Sequence, residues 1–205
     1  MNNLKYRLLS FLHGFLCKDR SNLYYIQKSF LKAICSQKNT IRVTPVGTGS
    51  TSIGILYALG QCLFHPGYKF LFTYTNRYHH IGRVLQIHSQ LGWFFERFLP
   101  IKFKSNTKIE FKNGSSISTL SLFSNKHAEL DCVGFYDCIF NDDCMMVSEE
   151  IAHQFYNDLK KWSNQIVMII SPYDKKHPAY LIFENICRNY PKNNWKIKTV
   201  SQKEI

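Results

Sequence analysis

Short β-prone runs alternate with stretches of helical periodicity along nearly the whole chain, and nothing else in the sequence constrains its fold as much. The runs NTIRVTPV, YKFLFTYT, CVGFYDCIFNDD, QIVMIISP and WKIKTV are brief and rich in β-branched and aromatic residues. Between them, apolar residues recur every three or four positions, the period of a helix with one buried face. Parallel neighbouring strands need a crossover, and a helix normally supplies it. The alternation therefore predicts βαβ units, a mainly parallel sheet flanked by helices, and one α/β domain. KFKSNTKIEFKNGSSISTLSLF interrupts the pattern: two alternating stretches joined around Asn113-Gly114 predict a β-hairpin insert.

The helical segments can be placed more closely. MNNLKYRLLSFLHGFLC reads as an amphipathic first helix. Its apolar run is broken by Ser10, His13 and Gly14, and no small-residue cleavage site follows, which argues against a signal peptide. Leu23, Ile26, Phe30 and Ile34 predict a second helix from Tyr24 to Ser36. STSIGILYALGQCLF continues as a helix opening at Thr51, with Ser or Thr as its N-cap. NRYHHIGRVLQIHSQLGWFFERFL reads as one helix ended by Pro100. SEEIAHQFYNDLKKW carries acids in its first turn and lysines near its end, and PAYLIFENICRNY is a further helix. No run approaches the ~18 apolar residues that a bilayer span requires.

With 26 Lys and Arg against 14 Asp and Glu, the net charge of +12 favours a polyanionic partner, nucleic acid above all. The alternative is a basic protein without one. Cys17, Cys35, Cys62, Cys132, Cys138, Cys144 and Cys187 form no CxxC pair, so they read as free thiols of a reducing compartment rather than a zinc site.

RVTPVGTGSTSIG has the build of a phosphate-binding loop: a β-rich run, a small-residue turn, then the start of a helix. Glycines let backbone N–H groups turn inward, and a helix N-terminus faces an anion with the positive end of its dipole. Gly47, Thr48 and Gly49 supply the turn, but Ser50 stands where such loops carry lysine, before the hydroxyl of Thr51. On its own the loop is equally an ordinary glycine-rich strand-to-helix turn. At the far end of YDCIFNDD, Asp142 follows an apolar run as a magnesium-holding carboxylate would, and Asp143 stands where a water-activating acid belongs. Aspartate there reaches one methylene less far than glutamate. A solvated acidic strand end is the competing reading.

The order of these parts resembles that of the N-terminal ATPase domain of the large terminase subunit, the DNA-packaging motor of tailed phages and related viruses. The resemblance runs from Tyr24 to Val200. YYIQKSFLKAI resembles the adenine-contacting segment, RVTPVGTGSTS falls at the Walker A loop, and KIEFKNGSSISTLS resembles an associated hairpin. CVGFYDCIFNDD matches the approach to Walker B, with Val133-Gly134 in place of the usual Arg-Gly, and IVMIISPYDKKHPAYLIFE resembles the coupling segment.

The resemblance implies an ASCE-type P-loop NTPase, a three-layer α/β fold occupying residues 1–205 as one domain. Residues 1–22 would be an N-terminal helix and turn, and 23–200 the motor core, with no nuclease domain. Gln27 and Tyr25 would meet the adenine of ATP, and Gly47, Thr48, Gly49, Ser50 and Thr51 would wrap its phosphates. Asp142 with Thr51 would hold Mg2+, Asp143 would hold the attacking water, and Ser171 would sense the cleaved phosphate. Some family members place the basic residue at the start of the loop, and Arg42 occupies roughly that position. The implied partners are double-stranded DNA, a portal, a small terminase subunit and a ring of identical subunits in the cytoplasm of an infected host cell, with no membrane. Arg77 and Arg83, in NRYHHIGR, mix charge with aromatics as a DNA surface would, although a solvated helix face reads the same way. Two rivals stay open. One is a pseudo-ATPase acting as a DNA-binding or structural partner, favoured by the missing lysine. The other is a helicase-like N-terminal lobe, which would normally show Gly-Lys-Thr.

Overall fold

The computed structural model describes residues 2–16, 21–36, 39–44, 48–74, 80–121, 134–142, 161–170 and 195–199. The elements are α1 (Asn2–Leu16), α2 (Ser21–Ile34), β1 (Asn39–Val43), α3 (Ser50–Phe64), β2 (Lys69–Tyr74), α4 (His80–Gln90), α5 (Trp93–Phe98), β3 (Ile101–Lys104), β4 (Lys108–Phe111), β5 (Ser116–Ser121), β6 (Tyr136–Asp142), β7 (Ser163–Ile170) and β8 (Trp195–Thr199). The strands form one eight-stranded sheet in the order β3-β4-β5-β2-β6-β7-β1-β8. From β5 to β8 every pairing is parallel, and β3 and β4 extend one edge antiparallel.

Consecutive residues of β2, β6 and β7 are buried, so both faces of the sheet centre are covered. On one face α1 to α5 close a continuous core. Leu9, Phe30, Leu31, Ile55, Leu59, Val84 and Phe95 pack there against Phe70, Phe72, Phe140, Val167 and Ile169. This is the mainly parallel α/β architecture with flanking helices that the P-loop reading implies.

The connection from β1 to β2 positions the site. Because β7 and β6 lie between these strands, α3 must cross over both, and every residue from Ile53 to Cys62 is buried. Gly54 makes the crossing close: a Cβ there would stand 2.5 Å from Cζ of Phe140. Tyr57 Oη donates to Gln165 Oε1 at 2.7 Å, and Gln165 Nε2 donates to the Ile34 carbonyl at 2.9 Å. Helix α3 is thereby tied to β7 and to the end of α2.

Several expectations from the sequence need correction. Helix α2 starts at Ser21 and ends at Ile34, rather than spanning Tyr24 to Ser36. Helix α3 opens at Ser50, and its N-cap is Gly49 at φ 73° with no side-chain cap, not a Ser or Thr. A turn into the left-handed region is cheap only for glycine, so backbone geometry displaced the hydroxyl cap. The single helix expected up to Pro100 is two, α4 and α5, broken where Gly92 takes φ 58°. The predicted hairpin around Asn113-Gly114 is present as β4 and β5, but its first run is split into β3 and β4 by an extra turn in which Ser105 Oγ accepts from Lys108 N at 3.0 Å. Strand β5 also pairs in parallel with β2, so the hairpin continues the main sheet. The helices expected over SEEIAHQFYNDLKKW and PAYLIFENICRNY lie outside the described residues, apart from Lys161 and Trp162.

Candidate functional site

Parallel α/β sheets gather ligands at the carboxyl ends of their strands. Here β1 and β6 deliver Thr44 and Asp142 to that end, with α3 starting between them. Thr44 N bonds the Ile170 carbonyl at 2.9 Å, extending β1 beside β7. Thr44 Oγ1 donates to Thr48 Oγ1 at 2.9 Å, and the Thr48 and Ser50 hydroxyls lie 3.2 Å apart. Hydroxyls thus close the loop on itself. Ser50 is buried. Gly49 then turns the chain into α3, whose N-terminus carries no side-chain cap. Its first N–H groups lack intrahelical acceptors and present partial positive charge to the mouth of the site.

Thr51, in the first turn of α3, donates its hydroxyl to Asp142 Oδ2 at 2.7 Å. The contact follows from the fold. Phe140 and Asp142 lie two apart on β6 and face the same side. Gly54, one helical turn beyond Thr51, rests on Phe140. A hydroxyl and a carboxylate on adjacent elements form an oxygen-only pair of the kind hard divalent cations select. The residues fit magnesium in donor type, and Asp142 is nearly buried while Thr51 is half-buried.

Arg42 is fully buried on β1, at 0% exposure. Its guanidinium lies 4.5 Å from the Phe30 ring centre, and Nη1 makes a long 3.5 Å contact with the Ile26 carbonyl. Nε and Nη2 have no hydrogen-bond partner among the described residues. Burial lowers its pKa to about 10, so it keeps its charge at neutral pH. A buried cation with donors unspent is costly unless an anion completes it.

Gln27 is buried on α2 beside the loop. Its Nε2 donates to the Thr48 carbonyl at 2.9 Å, and its Oε1 lies 2.6 Å from Nε2 of His13 on α1. The amide that the resemblance assigned to adenine is therefore engaged with the loop backbone. Desolvation lowers the His13 pKa, with Lys28 adding to the effect and the Gln27 bond opposing it. His13 is the residue that the sequence reading missed. It stood only as an interruption of an apolar run, and the available signal was a polar side chain in line with Leu9 and Leu12.

Of the other candidates, Tyr25 is 73% exposed on α2 and Arg83 is exposed on α4. Gly47, Arg77, Asp143 and Ser171 lie outside the described residues. Cys35, Cys62 and Cys138 are buried, and burial pushes the Cys62 thiol up to about 12. No helix among the described residues is long and apolar enough to cross a membrane.

No protein-family model matches the sequence, and no curated protein sequence does. Solved structures do. The large terminase of bacteriophage HK97 matches with a TM-score of 0.65 at 10% identity, over 84% of this chain and 38% of that one. The N-terminal domain of the bacteriophage phi29 DNA packaging ATPase matches at 0.58 and 11% identity, over 83% of this chain and 94% of that one. The large terminase of a thermophilic bacteriophage, solved in complex with ADP, matches at 0.57 and 11% identity, over 89% of this chain and 46% of that one. The chain thus spans about half the length of that thermophilic-phage protein. It has the fold of the ATPase domains of phage DNA-packaging motors.

Proposed function

We propose that this chain is the ATPase domain of a viral DNA-packaging motor, which hydrolyses ATP and couples the reaction to movement of double-stranded DNA into a capsid. The hydrogen bond from Thr51 to Asp142 carries the reading, because it joins the start of the loop helix to the end of an aspartate-bearing strand. An ordinary glycine-rich turn has no need of that pairing.

In this reading the N-terminus of α3 receives the phosphates, with Gly47, Thr48, Gly49 and Ser50 around them. Thr51 and Asp142 hold magnesium, which when bound offsets the charge of the β- and γ-phosphates. Arg42 supplies from β1 the positive charge that Ser50 cannot supply from the loop. Its guanidinium nitrogens without a partner among the described residues, and its place under α2 at the Ile26 carbonyl, support this role. Asp143 orients the attacking water, and Ser171 carries the change away from the γ-phosphate. Tyr25, exposed on α2, would meet the adenine ring. The charge of +12 suits contact with DNA phosphates, through residues such as Arg77 and Arg83. The structural neighbours are packaging proteins, which supports assembly as a ring with a portal and a small terminase subunit in the host cytoplasm.

The test is magnesium-dependent ATP turnover by the purified chain, with and without double-stranded DNA, beside an Asp142→Asn variant. We expect turnover that DNA stimulates and that falls roughly a hundredfold or more in the variant, as for loss of a transition-state charge contact. No magnesium-dependent nucleotide binding in the parent chain would replace this reading with that of a pseudo-ATPase partner.

A further inference from the structure

We infer that His13, on the N-terminal helix, is a positioning residue of the phosphate loop, acting through Gln27; the inference rests on the nucleotide-site reading above. Three elements distant in sequence meet at one amide. Gln27 Nε2 donates to the carbonyl of Thr48 at 2.9 Å, and its Oε1 is 2.6 Å from His13 Nε2. Both side chains are buried.

The polarity of this chain is settled by chemistry. A carbonyl cannot donate, so the end of the Gln27 amide that faces the Thr48 carbonyl is its nitrogen. Its oxygen then faces His13, whose Nε2 must carry the hydrogen. The neutral Nε2–H tautomer and the imidazolium both satisfy that condition, so the link survives protonation. His13 fixes which way the amide points, and the amide fixes the carbonyl just before Gly49. Gly49 has no side chain where the amide approaches: a Cβ there would overlap Gln27 Nε2. Gly49 is also the residue that turns the loop into α3, at φ 73°. The loop therefore has two supports. One is internal, through the Thr44, Thr48 and Ser50 hydroxyls. The other is external and reaches back to α1.

The packing supports a defined geometry. Leu9 and Leu12 bury the same helix in the shared core, and Leu9 lies against α3 at Gly60, where a Cβ would stand 2.5 Å from Leu9 Cδ2. Helix α1 thus packs directly on α3 at Gly60 and reaches the loop before α3 through Gln27.

The test compares the parent chain with His13→Leu, which keeps bulk and removes the donor, and with His13→Gln, whose amide nitrogen can replace Nε2. Hydrogen exchange is followed without nucleotide, and affinity is measured with a fluorescent ATP analogue and magnesium. Loss of one hydrogen bond predicts about fivefold faster exchange around Thr48 to Ser50 in His13→Leu. Exchange in β6 should not change, and His13→Gln should restore the parent rate. Affinity should fall by a similar factor and recover in the same variant. Unchanged loop exchange in His13→Leu would overturn the inference. So would acceleration shared equally by α1 and the middle of α3, or a failure of His13→Gln to restore the rate. A parent chain that binds no nucleotide would defeat the functional reading alone, with the exchange data still deciding what His13 does.

Discussion

The start of α3 and the end of β1 lie on two sides of one loop, and they treat their polar groups in opposite ways. Around the loop, from Thr44 to the first turn of α3, the side chains satisfy one another: Thr44 bonds Thr48, Thr48 lies beside Ser50, Thr51 bonds Asp142, and Gln27 bonds both the loop and His13. On β1, Arg42 is as deeply buried as any of these, yet two of its nitrogens have no hydrogen-bond partner among the described residues. The loop hydroxyls have partners while the buried cation is left incomplete, as is the buried Thr73 hydroxyl elsewhere in the sheet, and an anion would complete the cation. We read that as the charge of a polyphosphate, displaced from the end of the loop to the strand before it.

The largest effect should come from removing the unpaired side. Arg42→Met keeps most of the volume over Phe30 and deletes the charge. It should leave thermal stability unchanged or raise it, because replacing an uncompensated buried ion with an apolar group is often neutral or stabilising. Affinity for magnesium ATP should nonetheless fall about tenfold to a hundredfold, the loss expected for one to two charge-assisted hydrogen bonds. A destabilised Arg42→Met with unchanged affinity would make Arg42 structural and remove the contrast.

A smaller effect should follow from disturbing the satisfied side at its support. Gly54→Ala places a methyl group 2.5 to 3.0 Å from three carbons of the Phe140 ring. Alanine favours a helix over glycine by about 1 kcal/mol, but overpacking a tight core contact costs about 1–3 kcal/mol. The clash should win, with stability falling by about 1 kcal/mol in chemical denaturation. Magnesium affinity should weaken with it, since Phe140 leads directly to Asp142. Stability above that of the parent would show that the approach of α3 to β6 is looser than the contact implies.

The smallest effect concerns pH. His13 has its pKa lowered in the folded chain, so below the ordinary histidine value of about 6.5 the unfolded chain binds more protons. Stability therefore falls as pH drops through that region, and the contribution is absent at higher pH. His13→Gln should flatten that part of the stability profile relative to the parent. Identical profiles between pH 7.5 and 5.5 would place His13 in a more solvated setting.

Much of this architecture was legible because buried parallel strands are written as continuous apolar runs. CIF of β6 and IVMII of β7 are examples, and each became a central strand. The errors fell where a local signal carried two meanings. Ser50 and Thr51 look like helix caps, but the left-handed turn required glycine, and Gly49 took the cap position. Leu91, Phe95 and Leu99 keep helical spacing and are all buried, so only Gly92 marked the break between α4 and α5. In IKFKSNTKIEFK, regular lysines hid the Ser105 turn that makes two strands of one run.

The site divides in the same way. The meeting of Thr51 and Asp142 could be expected because spacing along the chain and the resemblance put them in order. The His13–Gln27 contact could not, since it is made by the packing of α1 on α2 and neither residue announces the other. No pattern along one helix encodes which side chain on the next it will meet.

The most direct test of the displaced charge is to measure binding of adenosine, ADP and ATP, with magnesium, to the parent chain and to Arg42→Met. If Arg42 meets the phosphates, the loss on substitution should grow from adenosine to ATP, with adenosine itself unchanged. Equal losses for all three ligands would mean that Arg42 shapes the pocket without meeting its charge. No loss for any of them would mean that the site takes its positive charge from elsewhere.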